Sequence, residues 1–164
     1  VSFASPVRDV SFGIDGSGRP LDGCVLFVDG TSQCAGGNAE YAFGDMLPDS
    51  SAAFRPAHPL WTDAVEVVHA AYYATCALFP GGTVRCSGTC DGVGLRGDGC
   101  SPDARVIDSP VAGVTDVVHI VGALGRVCAL ERDGDVWCWG PGPDGQLGYG
   151  GTNPRSTPTR ALTE

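Results

Sequence analysis

Cys128-Ala129-Leu130-Glu131-Arg132-Asp133-Gly134-Asp135-Val136-Trp137-Cys138-Trp139-Gly140 is the stretch that decides the fold. Two short apolar runs flank Asp133-Gly134, and Asp-Gly between such runs is a hairpin loop because glycine takes positive φ without steric cost. Cys128 and Cys138 are equidistant from that turn. They therefore face each other across an antiparallel hairpin, at a Cα separation of about 4.5 to 5.5 Å that suits a disulfide. The same ten-residue bracket recurs at Cys24/Cys34 around Val28-Asp29-Gly30 and at Cys76/Cys86 around Pro80-Gly81-Gly82. Cys24, Cys76 and Cys128 stand 52 residues apart each time, so one β-unit is written three times in succession.

Working outward, each hairpin is preceded by another β-like stretch: Val7 to Val10, Thr62 to Val68, and Val114 to Val121. Proline-containing links, Ser5-Pro6, Pro59 and Ser109-Pro110, lie ahead of these, and Thr157-Pro158-Thr159 closes the chain at the same phase. The whole chain, 1–164, is thus expected to be one repeat domain with units near 1–52, 53–104 and 105–156, and 157–164 opening the next phase. Gly 25 and Pro 12 fall between short apolar runs, the composition of an all-β fold with many tight turns. Along a strand the side chains alternate, so Cys128, Leu130 and Arg132 share one face while Ala129 and Glu131 share the other. Trp137 and Trp139 flank Cys138 and fall opposite it, where they are expected to fill the gap between neighbouring units rather than stack on a ligand.

A fourth pair, Cys90/Cys100, has the same spacing but lies outside the repeat pattern. Eight paired cysteines favour disulfides and an oxidising compartment, extracellular or periplasmic and cell-envelope associated. Metal binding is the rival reading and buried free thiols a third. Against metal, no C-x-x-C occurs and His58, His69 and His119 are not interleaved with the cysteines. The chain starts at Val1 with no basic n-region or apolar h-region, which reads as a processed or excised chain. No apolar run approaches the roughly 18 residues of a membrane helix. A balance of 19 acidic against 10 basic residues gives a net charge of −9, which repels phosphate backbones and argues against nucleic-acid binding.

The third unit, C-A-L-x-x-D-G-x-V-x-C-W-G followed by Asp144-Gly145-Gln146-Leu147-Gly148, resembles the regulator of chromosome condensation repeat, in the cysteine-bearing form of secreted bacterial members. The second unit repeats it as Cys76-Ala77-Leu78, Gly82 to Gly88 and Gly94-Leu95-Arg96-Gly97, and the first as Cys24-Val25-Leu26, Gly30 to Gly36 and Ala42-Phe43-Gly44. The resemblance implies β-propeller blades, each a four-stranded antiparallel sheet, usually seven to a ring. Three such blades turn about 51° each and describe less than half a circle. The expected architecture is therefore three consecutive blades of an open or partner-completed propeller, in which self-association or another protein covers the outer faces. A histidine two residues before the first hairpin cysteine is frequent in the family, whereas this chain has Asp22, Ala74 and Arg126 there.

No nucleophile–base pair, shared carboxylate pair or phosphate loop stands out. Gly92-Val93-Gly94 and Gly97-Asp98-Gly99 are turn glycines without a strand-to-helix context. His69 and His119 read as packed or hydrogen-bonded residues, and Asp91-Gly92, Asp98-Gly99 and Asp144-Gly145 lack the dense acidic spacing of a calcium loop. The expectation is a protein-interaction module with no catalysis, cofactor or metal. Its contact residues are sought in loops around Asp15 to Pro20, Cys90 to Cys100 and Pro141 to Gly148: Asp15, Arg19, Asp91, Arg96, Asp98, Asp144 and Gln146. The alternative is a structural subunit or propeller fragment whose open blade faces are buried in a larger assembly.

Overall fold

The computed structural model describes residues 5–14, 20–38, 43, 49–56, 61–70, 74–88, 96–99 and 106–162. Among these residues, twelve strands fall into three four-stranded antiparallel sheets, each a meander in chain order. The first contains β1 (Val7–Ile14), β2 (Pro20–Phe27), β3 (Ser32–Gly36) and β4 (Ser51–Pro56). The second contains β5 (Glu66–His69), β6 (Ala74–Phe79), β7 (Thr83–Gly88) and β8 (Val106–Pro110). The third contains β9 (Val117–Ala123), β10 (Arg126–Glu131), β11 (Val136–Gly140) and β12 (Arg155–Arg160). No helix among the described residues is long and apolar enough to cross a membrane.

The middle hairpin of each sheet is the one the cysteines bracket. Cys24 lies opposite Cys34, Cys76 opposite Cys86, and Cys128 opposite Cys138, each pair bonded at a Cα separation of 4.1 Å. This is slightly closer than the expected range, at the short end of cross-strand pairing. Cys90 and Cys100 lie outside the described residues. The fourth strand of each sheet breaks register at one point, between Cys34 and Gly36, Cys86 and Gly88, and Cys138 and Gly140. Because β4 and β12 complete their sheets, the expected unit ends at 52 and 156 fall inside strands. Thr157-Pro158-Thr159 lies in β12, as Ser109-Pro110 lies in β8, each in the fourth strand of its sheet.

Register gives the correspondence between sheets. Opposite Leu26, Leu78 and Leu130 stand Asp9, Glu66 and His119, and opposite the first cysteines stand Ser11, Val68 and Val121. Each sheet has a forward face, carrying both cysteines and that leucine, and a rear face, carrying the residues between them. The forward face of the first sheet packs on the rear of the second: Cys24, Leu26 and Cys34 cluster with Trp61, Ala64, Val67 and Ala77. The forward face of the second packs likewise on the third, with Cys76, Leu78, Val84 and Cys86 against Val127, Ala129, Ile120 and the fully buried Trp139. Trp137 joins this cluster from its edge. Both tryptophans are therefore packing residues between sheets, as their alternation indicated.

The hairpin tips add a backbone contact to each interface. A Cβ built at Gly30 would stand 2.5 Å from the backbone nitrogen of Asp63, and one at Gly82 would stand 2.5 Å from that of Val117 and 2.7 Å from Asp116 Cα. Only glycine admits so close an approach. The residues met, Asp63 and Asp116, are themselves held at φ of 72° and 52°.

Candidate functional site

Three structural features could carry function: the rim from which the longer loops emerge, the axial groove between first strands, and a buried polar array between the first two sheets. In a meander, the β1–β2 and β3–β4 connections leave at the same end. Of the expected contact loops, 141–148 leaves the third blade at that end, whereas 15–19, 90–95 and 100 lie outside the described residues. Asp15, Arg19 and Asp91 lie outside the described residues.

On the third blade the rim is formed by 141–154. Asp144 and Gln146 are exposed and clasp each other: the Asp144 N–H donates to Gln146 Oε1 (3.0 Å), and Gln146 Nε2 donates to Asp144 Oδ2 (2.8 Å). Leu147, fully buried beneath them, anchors the turn to the blade. Arg155 stacks on Tyr149 at 4.1 Å from the ring centre, and the Tyr149 hydroxyl donates to the Asn153 carbonyl at 2.8 Å.

Arg96 departs from expectation. It is 1% exposed, its Nη2 lies 3.1 Å from Asp98 Oδ2, and its Nη1 reaches the Gly88 carbonyl. Asp98 is also claimed internally, by the Ser109 hydroxyl at 2.7 Å. The reason is register. Gly97 stands against Val111 as Gly148 stands against Ala161, so Arg96 occupies the plug position that Leu147 fills in the third blade. Arg96 is consequently corrected from a surface contact to a buried, ion-paired plug, with Asp98 as its counter-ion.

The axial groove, about 460 Å³, runs across β1, β5 and β9 and is lined by Arg8, Asp9, Glu66, His119 and the intervening valines. Here the first strands are joined by carboxylates. Val67 N–H donates to Asp9 Oδ2 (3.2 Å) and Ile120 N–H to Glu66 Oε2 (2.9 Å). Glu66 also meets Nδ1 of the exposed His119 at 2.9 Å. These acids satisfy edge N–H groups that no ladder reaches.

Between the first two blades lies an array of three fully or nearly fully buried side chains. His69 Nε2 is 2.9 Å from Asp22 Oδ1, and its Nδ1 is 2.5 Å from the Thr75 hydroxyl. Phe43 closes over the imidazole edge-on, with ring centres 6.1 Å apart. A hydroxyl, an imidazole and a carboxylate in series have the parts of a proton relay, and all three side chains are buried. The sequence singled out Asp22 only as an acid where the family often has histidine. Its partner histidine comes from the neighbouring blade instead, a juxtaposition that no spacing within one unit could disclose.

At the third hairpin tip, the carboxylates of Glu131, Asp133 and Asp135 converge within 4.8 Å of one another. They are already engaged. Glu131 accepts from Thr115 N–H and from Trp137 Nε1 (2.8 Å), Asp133 from Asp135 N–H, and Asp135 pairs with Arg160. The exposed Asp29 at the first tip accepts from the Thr31 hydroxyl (2.6 Å) and N–H (3.0 Å), which hold its carboxyl below the ordinary carboxylate range.

Three meander sheets packed forward face to rear face around an axial groove define the chain as a run of β-propeller blades. Residues 133–163, in the third blade, match the regulator of chromosome condensation (RCC1) repeat, and the other two sheets share that blade's topology. Its fold is similar to that of human WBSCR16 (18% identity, TM-score 0.78, covering 98% of this chain and 41% of that one). It is also similar to Saccharomyces cerevisiae Prp20p, described with its binding to Gsp1p and histones (16%, TM-score 0.75, covering 100% of this chain and 40% of that one). A structure of yeast RCC1 (Prp20) bound by Kap60 is a further likeness (19%, TM-score 0.66, covering 88% of this chain and 34% of that one). The chain thus spans about two fifths of the length of the first two. No curated protein matches it by sequence.

Proposed function

We propose that this chain is a non-catalytic protein-interaction module working outside the cytoplasm, and that it contacts a protein partner through the rim carrying the β1–β2 and β3–β4 loops. The observation that carries this reading is the exposed Asp144–Gln146 clasp, a preorganised polar pair held on a rigid blade by the buried Leu147. A fixed polar group loses little freedom on binding, and loops on a regular scaffold are where recognition is usually built. Structural relatives described with Gsp1p, histones and Kap60 support protein binding as the kind of activity. The three disulfides support a location in an oxidising compartment, extracellular or periplasmic. The hydroxyl–imidazole–carboxylate array is sealed from solvent, which favours a role without catalysis. Asp15, Arg19 and Asp91 are further candidate contacts.

The test is capture of partners from the extracellular fraction of the source organism, by the wild-type chain and by a variant with alanine at Asp15, Arg19, Asp91, Asp144 and Gln146. Loss of a specific partner supports the rim. Undiminished capture of the same partner sinks it. A second reading, a structural subunit or propeller fragment with its open blade faces buried in a larger assembly, is favoured by the forward face of the third blade, where Cys128, Leu130 and Val136 are only half-buried among the described residues.

A further inference from the structure

Histidines aside, the chain's 10 basic residues are all arginine. Several of them are spent on the chain's own acids: Arg55 takes Asp49 at 2.7 Å, Arg96 takes Asp98 at 3.1 Å, and Arg160 takes Asp135. Arg155 takes no carboxylate among the described residues. Its guanidinium lies instead over the Tyr149 ring, 4.1 Å from the centre, with Arg155 exposed and Tyr149 half-buried. The ring is itself fixed, because its hydroxyl donates to the Asn153 carbonyl at 2.8 Å and a Cβ at Gly151 would collide with it. The loop is also pinned at its base, where Leu162 N–H donates to the Gly148 carbonyl and Gly148 N–H to the Gly145 carbonyl, each at 2.9 Å.

Both residues stand on the perimeter of the third blade, Tyr149 in the β11–β12 connection and Arg155 at the start of β12, the fourth strand of its sheet. The preceding blade touches β12 at Ser156, whose carbonyl accepts from Gly99 N–H at 2.8 Å, and leaves the Arg155 guanidinium open to solvent. Stacking engages the face of a guanidinium and none of its five in-plane N–H donors. Arg155 therefore presents a fork of unspent donors on a rigid platform.

We propose that the Arg155–Tyr149 stack is a preformed site for one carboxylate, an aspartate or glutamate side chain of the partner protein. This rests on the rim as the binding surface and adds the chemistry that the rim reads. The planar fork matches a carboxylate through two parallel N–H···O bonds. The ring already restrains the arginine, so less freedom is lost on binding. Asp144, the acid of the same rim segment, is tied to Gln146. A phosphate would also match the fork, but the chain's net charge of −9 opposes a dianion more strongly than a single negative charge.

The absence of lysine from the chain makes the test specific. Arg155→Lys keeps the positive charge and introduces the chain's only side-chain amine, which a carbodiimide joins to a touching carboxylate as an amide. The probe is the protein that the wild-type chain captures from the extracellular fraction, purified, and circular dichroism checks that each variant is folded. Cross-linking of the Arg155→Lys complex, followed by peptide mass mapping, is expected to join position 155 to an aspartate or glutamate of that protein. Arg155→Ala is expected to weaken binding by about tenfold. Tyr149→Leu, which keeps the guanidinium but removes its platform, is expected to weaken it by less. A complex with no bond at position 155, or with a bond there to a phosphorylated side chain, overturns the proposal, as does unchanged affinity of Arg155→Ala. If the five-alanine rim variant loses the partner while Arg155→Ala keeps it, the rim stands and the carboxylate site falls. Retention by both variants, or no captured partner at all, overturns both.

Discussion

At the scale of single residues, the molecule uses ionisable groups as fasteners. Asp9 and Glu66 hold backbone N–H groups of the next blade, Glu131 holds Thr115 and Trp137, and Asp22 with His69 joins two blades with no access to water. A buried pair of this kind is weak evidence of net stability, but removing one member strands the other. His69→Leu alone is therefore expected to cost about 3 kcal/mol, since it sets an apolar side chain in place of the imidazole against the buried Asp22 carboxyl. The double variant His69→Leu with Asp22→Leu is expected to recover much of that loss. Denaturant unfolding of the two singles and the double checks this, and strictly additive costs would mean that the two residues do not act together. Residue roles were the least legible part of the sequence. Arg96 was visible as a charged loop residue, yet its burial depends on which blade position the Leu95-Arg96-Gly97 segment fills, and that is fixed by Gly97 packing on Val111.

At the scale of elements, the bracketed hairpin was readable in full, because a turn signal and two equidistant cysteines over-determine antiparallel register. The fourth strands were not. β4 and β12 carry few large apolar residues, and β4, β8 and β12 each contain a proline, so they resemble links until the neighbouring strand's register is known. The hairpin tips supply a prediction here. Gly82→Ala must push against the backbone of Asp116 and Val117, whereas Gly134→Ala meets open space, and both glycines have positive φ, 80° and 98°. Both substitutions carry the cost of a left-handed alanine, about 1 kcal/mol. Gly82→Ala is expected to be the more damaging by a further ~1 to 2 kcal/mol as the blades are forced apart, measured as the difference in thermal unfolding. Equal losses would mean that the tip contact has no energetic weight.

Across the whole molecule, stability follows from how many neighbours a blade has. Among the described residues, the second blade is packed on both faces, the first on its forward face and the third on its rear face. In a linear array of blades, the energy of each interface is shared by the two units it joins, so the ends open before the middle. Native-state hydrogen exchange on this 164-residue chain is accordingly expected to show the slowest amides in β6 and β7, with β10 and β11 faster by about an order of magnitude. Uniform protection across the three hairpins would mean that the array opens as a single unit. The close passage of Gly30 over Asp63 and of Gly82 over Asp116 has a consequence of another kind. Main chain meets main chain there, so the pitch from one blade to the next depends little on which side chains the blades carry. A blade ending its hairpin in glycine can precede any blade that enters with the matching left-handed residue. Duplication, loss or exchange of whole blades would then leave the joints intact, which makes this chain a segment of a modular alphabet whose letters can be recombined without redesigning the seams.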